Sequence, residues 1–304
     1  MGLMNIVSGN MAGAFSGFLS HMAWMEIADN PDNGISVQLH ARNKTQYHGN
    51  SYSNYRWFNS KDCNNFEEVI EENLLLKFFK KNQYITTDLS TDCIYTECYP
   101  SDIKDIIKAY PSSLKYDGRG GKKDQYTDLD NLEIVRNSFN KQWNKFEFTD
   151  DFKKIVKEEE KLIEGKKVMC LMLRTPIHYP EAKSDVLTSA IECVKKRIDD
   201  YDALLLTTQI QPFVDEFVKV FGDKCLYTKR ERYNTEEDWI GGRPNIHITM
   251  SDDEYQREYQ NVMLDVLLSS QTDLIVSASS NMFLAALCMN PEVSFDIFLN
   301  TNGS

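Results

Sequence analysis

The sequence predicts an α/β protein in two domains, 1–160 and 161–304. Its length of 304 residues is enough for about two domains of ~150 residues each. From about residue 150 onward, apolar strands and helices alternate strictly, which is typical of a parallel sheet covered by helices on both faces. Hydrophobic residues make up 41% of the chain and charged residues 26%, the composition of a folded protein rather than of a disordered or collagen-like chain.

The first domain opens with a strand, a glycine-rich loop and a helix. The loop carries Gly9, Gly13 and Gly17, and His21 follows on the first turns of the helix. Small residues let the backbone approach a phosphate or a sugar closely, and they also let a helix pack tightly on a strand, so both roles stay open. The remaining elements predicted for this domain are a strand at 34–43, a helix at 64–81, a short helix at 99–113 and a loop at 113–130.

The second domain has the more regular pattern. Its strands are short apolar runs such as KVMCLML, and its first helix ends at Gly165. Ligands bind such a sheet beyond the carboxyl ends of its strands, so polar residues at those ends are the first candidates for a site. The predicted elements are helices at 151–165, 184–198, 211–222, 252–271 and 280–289, and strands at 167–173, 203–208, 224–229, 273–279 and 293–298.

Charge and cysteine content restrict the partners and the compartment. Lysine and arginine number 34 against 46 aspartate and glutamate, a net charge of −12, so nucleic acid is not expected as a main partner. The seven cysteines have no paired spacing, which favours reduced thiols and a cytoplasmic location. The apolar stretch 11–28 lacks a preceding basic region, and no run reaches the ~18 apolar residues of a membrane helix, so neither a signal peptide nor a membrane span is predicted.

Ser279, Ser280 and Asn281 lie where a buried strand turns into a helix. The N–H groups at a helix start, together with hydroxyl and amide side chains, favour phosphate binding. A serine at this position can also simply cap the helix, and one residue can do both.

Arg174 directly follows the apolar strand 167–173. Its guanidinium suits a diphosphate, whereas the alternative is an internal ion pair with a carboxylate. Because Arg174 and the turn at Ser279–Asn281 are expected on the same rim of one sheet, the ligand role is favoured. Arg230 or Arg232, just after another strand, could also reach a nucleotide.

Asp265 is a carboxylate within an apolar helix, so we expect it to have a specific hydrogen-bond partner. The N1–H and the exocyclic amine of a purine base would satisfy both of its oxygens. A backbone or arginine partner inside the protein is the alternative, and the sequence leaves both open.

His178 and Glu181 lie in the loop after Arg174. Either side chain is placed to accept a proton from a hydroxyl, although a loop carboxylate is often just solvated. No HExxH motif, paired-cysteine motif or DxD-type acidic cluster offers a persuasive metal site, so no metal site is predicted.

Several segments of the second domain form a recognisable set. Arg174 ends the first strand, LLLTTQIQPFVDEFVKVFG follows as strand, turn and helix, and NVMLDVLLSSQTDLIVSASSNMFLAAL contains Asp265 and the serine turn. This set resembles the fucosyltransferase superfamily, which includes α1,6-fucosyltransferases, rhizobial nodulation fucosyltransferases and protein O-fucosyltransferases. The resemblance covers about 125 residues of the second domain. In the first domain it is limited to GAFSGFLSH, which would place Gly13, Gly17 and His21 on the donor side.

The resemblance implies a GT-B fold, in which two Rossmann-like domains face a cleft. It also implies an inverting transfer of fucose from GDP-fucose to a glycan hydroxyl, without a metal or another cofactor. Residue by residue, it assigns Arg174 to the diphosphate, Asp265 to guanine and the turn at Ser279–Asn281 to the phosphates. Met172 stands where the family has a histidine, and Ile177 stands where many members have an aspartate.

These two departures keep two alternatives open. One is a glycosyltransferase of the same fold that uses another nucleotide-sugar donor. The other is an inactive module that binds a nucleotide or a sugar.

Overall fold

The computed structural model describes residues 2–8, 14–41, 73–86, 94–96, 129–173, 186–234, 251–277 and 280–297. The fold is α/β, as predicted, because the strands in these ranges pair in parallel in two sheets and alternate with helices along the chain. The chain divides into two compact units, 1–153 with 250–260 and 154–249 with 261–304.

The first unit contains a three-stranded parallel sheet. Its elements are β1 (Gly2–Ser8), α1 (Ala14–Asp29), a 3-10 turn (Pro31–Asn33), β2 (Ile35–Ala41), α2 (Leu75–Phe78), β3 (Ile94–Thr96), α3 (Leu129–Trp143) and the start of α4 (Asp150–Glu160). The strand order is β2-β1-β3, and β2 confirms the strand predicted at 34–43. Gly34 closes the turn before β2 with φ 62°, a conformation that favours a residue without a Cβ atom.

α1 is buried around its whole circumference, because its apolar residues are consecutive rather than confined to one face. The helix begins at Ala14, so Gly17 lies in its first turn and not in the loop predicted from the sequence. Glycine costs about 1 kcal/mol in a helix relative to alanine, and the burial of Phe15 and Phe18 in the same turns outweighs that cost.

An aromatic cluster follows α2. Phe79 forms an antiparallel bridge with Phe148, and their rings stack with centroids 5.4 Å apart. Trp143 packs edge-on against both rings, at 5.8 and 5.6 Å. The bridge ends α2, so the part of the helix predicted at 64–81 that the structure describes is a single turn, while 64–72 lie outside the described residues.

Two predictions for the first domain fall mostly on residues that the structure does not describe. The short helix predicted at 99–113 lies outside the described residues. The loop predicted at 113–130 does too, except that its last two residues begin α3, a helix that was not predicted.

The second unit follows the predicted alternation throughout. Besides the end of α4, its elements are β4 (Val168–Met172), α5 (Val186–Lys195), β5 (Ala203–Thr207), α6 (Gln211–Phe221), β6 (Cys225–Leu226), the part of α7 (Asp252–Ser270) from residue 261 onward, β7 (Leu274–Ser277), α8 (Asn281–Met289) and β8 (Ser294–Ile297). Each predicted helix and strand is confirmed, mostly with shorter bounds. Considering both units, no helix in the described ranges is long and apolar enough to cross a membrane.

The five strands of the second unit form one parallel sheet in the order β6-β5-β4-β7-β8. All residues of β4 and of β5 are buried, as expected for central strands covered by helices on both faces. α7, which begins one residue after Ser251, has a capping box: the Ser251 N–H donates to Glu254 Oε2 at 2.6 Å, and the Glu254 N–H donates to Ser251 Oγ at 3.3 Å.

Candidate functional site

The candidate site lies at the carboxyl edge of the five-stranded sheet. The chain builds β4, β5 and β6 to one side and then places β7 and β8 on the other side of β4, so the strand order reverses between β4 and β7. Met172 and Ser277 pair at the ends of these two strands, and Ser277 Oγ donates to Met172 O at 3.3 Å. Open parallel sheets bind ligands at such a point of reversal.

The helix α8 begins at this edge. Ser280 is its N-cap, and Ser280 Oγ accepts a hydrogen bond from the Phe283 N–H at 3.1 Å. The capping role is therefore confirmed. Asn281 is half-buried on the first turn, and the positive end of the helix dipole lies at the carboxyl edge. Phosphate binding by this turn stays a prediction.

Some predicted site residues cannot be placed in the fold. Five lie outside the described part of the chain: Gly13, Arg174, His178, Glu181 and Ser279. In the sequence, however, Arg174 comes two residues after Met172, and Ser279 comes two residues after Ser277. The two predicted phosphate-binding positions therefore follow the paired ends of neighbouring strands.

Asp265 lies in α7 and forms a buried ion pair with Arg230. Arg230 Nη2 is 2.6 Å from Asp265 Oδ2, and the two side chains are only 4% and 2% exposed. The Thr228 hydroxyl donates to Asp265 Oδ1 at 3.2 Å. Of the alternatives that the sequence left open for Asp265, the internal arginine partner is present. Removing one partner of so deeply buried a pair would leave an uncompensated charge.

Arg230 and Arg232 lie in the segment after β6, and their side chains are held at the end of β5. Thr208, the residue after β5, accepts hydrogen bonds at its carbonyl from Arg230 Nη2 and from Arg232 Nε, each at 3.1 Å. Arg232 Nη2 also donates to Thr228 O at 2.9 Å, and its guanidinium lies 5.4 Å from the centroid of the Tyr227 ring. These contacts fix the Arg230–Asp265 pair beside β4, the strand that pairs with both β5 and β7.

Burial and the charge of Asp265 affect two neighbouring groups, Cys170 and Glu159. One helical turn along α7, the Ser269 hydroxyl donates to Asp265 O at 2.6 Å and accepts from Cys170 Sγ at 3.2 Å. Burial raises the pKa of Cys170 to about 12, so its thiol stays protonated and unreactive. Burial, followed by the like charge of Asp265, raises the pKa of Glu159.

The described residues offer no metal centre. No group of three or more histidine, cysteine, aspartate or glutamate side chains in these ranges is placed to hold a metal ion.

Gly17 and His21 belong to the first unit. They lie four residues apart in α1, which places them on one face of the helix, and both are buried. His21 is 2% exposed. Their contact with a donor stays a prediction.

The comparisons with known proteins identify the fold. No protein-family model matches the sequence, and no curated protein sequence matches it. The chain is similar to the solved structure of NodZ α-1,6-fucosyltransferase soaked with GDP-fucose, with 9% identity, 99% of this chain and 96% of that chain covered, and a TM-score of 0.51. It is also similar to fucosyltransferase NodZ from Bradyrhizobium (10% identity, 95% and 92% covered, TM-score 0.49) and to POFUT1 in complex with GDP (9% identity, 98% and 98% covered, TM-score 0.45). The likeness to the first of these structures, with its TM-score of 0.51, shows that this chain has the same fold as NodZ α-1,6-fucosyltransferase.

Proposed function

We propose that this protein is an inverting, metal-independent glycosyltransferase that transfers fucose from GDP-fucose to a hydroxyl of a glycan. The observation that carries the proposal is the likeness to NodZ soaked with GDP-fucose, which extends over 99% of this chain. The reversal of strand order beside the capped start of α8 supports it, because this is where such a sheet binds a nucleotide. In the same proposal, two Rossmann-like domains face a cleft in a GT-B arrangement.

The proposed reaction is a single displacement at the anomeric carbon of fucose. The bond to GDP breaks as the acceptor oxygen attacks from the opposite face, and negative charge grows on the leaving diphosphate. Arg174 and the N–H groups at the start of α8 stabilise that charge. Donors already oriented toward a developing charge are typically worth ~3–4 kcal/mol each.

The remaining assignments follow the sequence. His178 or Glu181 accepts the proton of the acceptor hydroxyl as the new bond forms. Gly13, Gly17 and His21 contact the donor from the first domain. Asp265 accepts hydrogen bonds from the base, which places guanine beside the Arg230–Asp265 pair.

The direct test is release of GDP from GDP-fucose with a panel of glycan acceptors. The wild type should release GDP and fucosylate at least one acceptor, while R174A should lose at least about 100-fold in turnover and keep its fold. R197A is the matched control, because Arg197 follows α5 and pairs with Asp296 rather than lying after β4. Near-normal turnover by R174A would remove Arg174 from the mechanism. Binding of GDP-fucose without release of GDP, whatever the acceptor, would favour an inactive binding module.

A second candidate is a transferase of the same fold with a different donor. Two observations favour it: Asp265 already has an arginine partner inside the protein, and Met172 stands where the family has a histidine. Thermal shifts with GDP, UDP, dTDP and ADP separate the candidates, because a bound nucleotide raises the midpoint of unfolding. Stabilisation by GDP alone supports GDP-fucose or another GDP-sugar. A preference for UDP or dTDP would remove Asp265 from guanine recognition.

A further inference from the structure

Within the described part of the chain, the guanidinium of Arg230 has acceptors for only some of its N–H donors. An arginine side chain carries five N–H donors. Two of them belong to Nη2, which contacts Thr208 O at 3.1 Å and Asp265 Oδ2 at 2.6 Å. The other three belong to Nε and Nη1, and no residue in the described ranges accepts a hydrogen bond from either nitrogen.

These donors are buried, because the side chain of Arg230 is 4% exposed. Buried donors without acceptors are rare in native proteins, since they lose their hydrogen bonds to water and gain none in return. Arg232, two residues further on, differs in this respect: Arg232 Nε, Nη1 and Nη2 all donate to backbone carbonyls, those of Thr208, Arg230 and Thr228. Arg232 therefore holds the segment together, whereas Arg230 keeps donors for another acceptor.

The position of Arg230 is that of a ligand-binding residue. Its anchor, Thr208, follows β5 at the carboxyl edge, and the neighbouring Leu173 N–H donates to Thr207 O at 2.9 Å at the end of β4. Arg230 is thus held beside the central strand that flanks the point of reversal.

The remaining donors of Arg230 need an acceptor rather than a counterion, because Asp265 already balances the charge of Arg230. A nucleobase oxygen needs only the hydrogen bonds. Arginine is the commonest partner of guanine, whose O6 and N7 are acceptors, whereas adenine carries an amine donor in place of O6.

We propose that Arg230 determines the base specificity of the donor site by donating from Nε or Nη1 to O6 of guanine. The inference rests on the proposed function and adds to it a specificity residue outside the segment around Asp265. Adenine would be rejected because its exocyclic amine would face the N–H donors of Arg230. Neither the amine nor these donors would then have an acceptor.

The test pairs a one-residue change with a one-atom change in the ligand. R230K keeps a positive charge beside Asp265 but lacks Nε and Nη1, and 6-thio-GDP replaces O6 by a weaker acceptor. Dissociation constants for GDP, 6-thio-GDP and ADP are measured by calorimetry on the full chain. R197K is the matched control, since it makes the same change at the half-exposed pair of Arg197 with Asp296.

We expect the wild type to bind GDP at least about 10-fold more tightly than 6-thio-GDP, and R230K to lose most of that difference, because a hydrogen bond to a charged donor is worth about this much. R197K should keep the difference. A wild type that binds GDP and 6-thio-GDP equally, or an R230K protein that keeps the full preference, would overturn the role of Arg230 and leave the proposed function standing. The inference can be overturned even if R230K does not fold, because equal binding of GDP and 6-thio-GDP by the wild type is enough to contradict it. A wild type that does not prefer GDP to ADP contradicts the proposed donor and the inference with it.

Discussion

The two units each contain a polar cluster between elements, and the clusters differ in the burial of their charged side chains. In the first unit, Gln142 Nε2 donates to Glu26 Oε2 at 2.7 Å and to Asp29 Oδ2 at 2.9 Å, and Lys145 Nζ lies 2.7 Å from Asp29 Oδ1. Asp29 and Lys145 keep 23% and 25% of their side-chain surface exposed. In the second unit, Arg230 and Asp265 are almost fully buried, and three donors of the arginine have no acceptor among the described residues.

The first cluster joins α1 to the end of α3. Its Gln142 is fully buried, and Gln142 Oε1 has no donor among the described residues, but water can still reach Asp29 and Lys145. The second cluster lies at the carboxyl edge of the sheet, and burial makes each missing partner expensive. In the function proposed above, this buried pair is part of the donor site.

The largest expected effect is loss of stability in D265A. This change leaves Arg230 buried without its counterion, and breaking such a pair typically costs about 3–5 kcal/mol. D296A is the matched control, because Asp296 is 45% exposed and an exposed pair is worth about 0–1 kcal/mol. Urea unfolding measures both free energies. Equal losses in free energy of unfolding in the two variants would contradict the expectation that the buried Arg230–Asp265 pair is the more costly one to break.

The double variant R230M/D265L also tests the cost of leaving one charge of the Arg230–Asp265 pair without its partner. Replacing both charges by apolar side chains removes the uncompensated arginine, so we expect the double variant to be about as stable as the wild type and at least about 3 kcal/mol more stable than D265A. It should bind GDP much more weakly than the wild type, because the base has lost both polar partners. A double variant that is stable and binds GDP normally would separate the pair from nucleotide recognition.

A smaller effect is expected at Gln142 in the first unit. Q142A removes two hydrogen bonds to carboxylates, but Glu26 and Asp29 stay partly hydrated, so we expect a loss of about 1–2 kcal/mol. N144A is the control, because the exposed Asn144 bonds only locally to Asn140 and should change stability by less than about 0.5 kcal/mol. GDP affinity should be unchanged in Q142A. A large loss of GDP binding would contradict the division of roles between the clusters.

The smallest effect is the pH dependence of the first cluster. Burial alone would raise the pKa of Asp29, but hydrogen bonds from Gln142, Lys145 and Lys141 outweigh it and lower the pKa below its ordinary value of 3.8. A lowered pKa in the folded state means that the stabilisation is complete above 3.8 and is lost as the pH falls through the folded pKa. The difference in free energy of unfolding between wild type and D29N should therefore shrink between pH 6 and pH 3. A difference that grows on acidification would contradict this direction.

The elements of the second unit were predicted well because each strand and helix has its signal in its own short stretch of sequence. Each strand of the sheet is a short apolar run between turns, and each helix has its own start and stop, so the alternation could be followed element by element. Arg174 and the turn at Ser279–Asn281 were expected on one rim, because the carboxyl ends of parallel strands share an edge. Arg174 and Ser279 lie outside the described residues, but the strand ends that precede them, Met172 and Ser277, pair directly.

The failures of prediction come from contacts that are distant in sequence. Gly17 was expected in a loop, but the burial of α1 extends the helix through it. The pairing of Phe79 with Phe148 ends α2 through a partner 69 residues away. The link between Arg230 and Asp265 spans 35 residues, and the sequence offered only a basic stretch after a strand and a lone aspartate in a helix. Each side chain was noticed, but no local rule connects them.

A crystal structure of the full chain with GDP tests the central claim most directly. We predict the diphosphate at the start of α8, beside the ends of β4 and β7, with Arg174 on the phosphates and guanine within hydrogen-bond distance of Arg230 and Asp265. A diphosphate bound elsewhere, or a base that turns away from the buried Arg230–Asp265 pair, would contradict it.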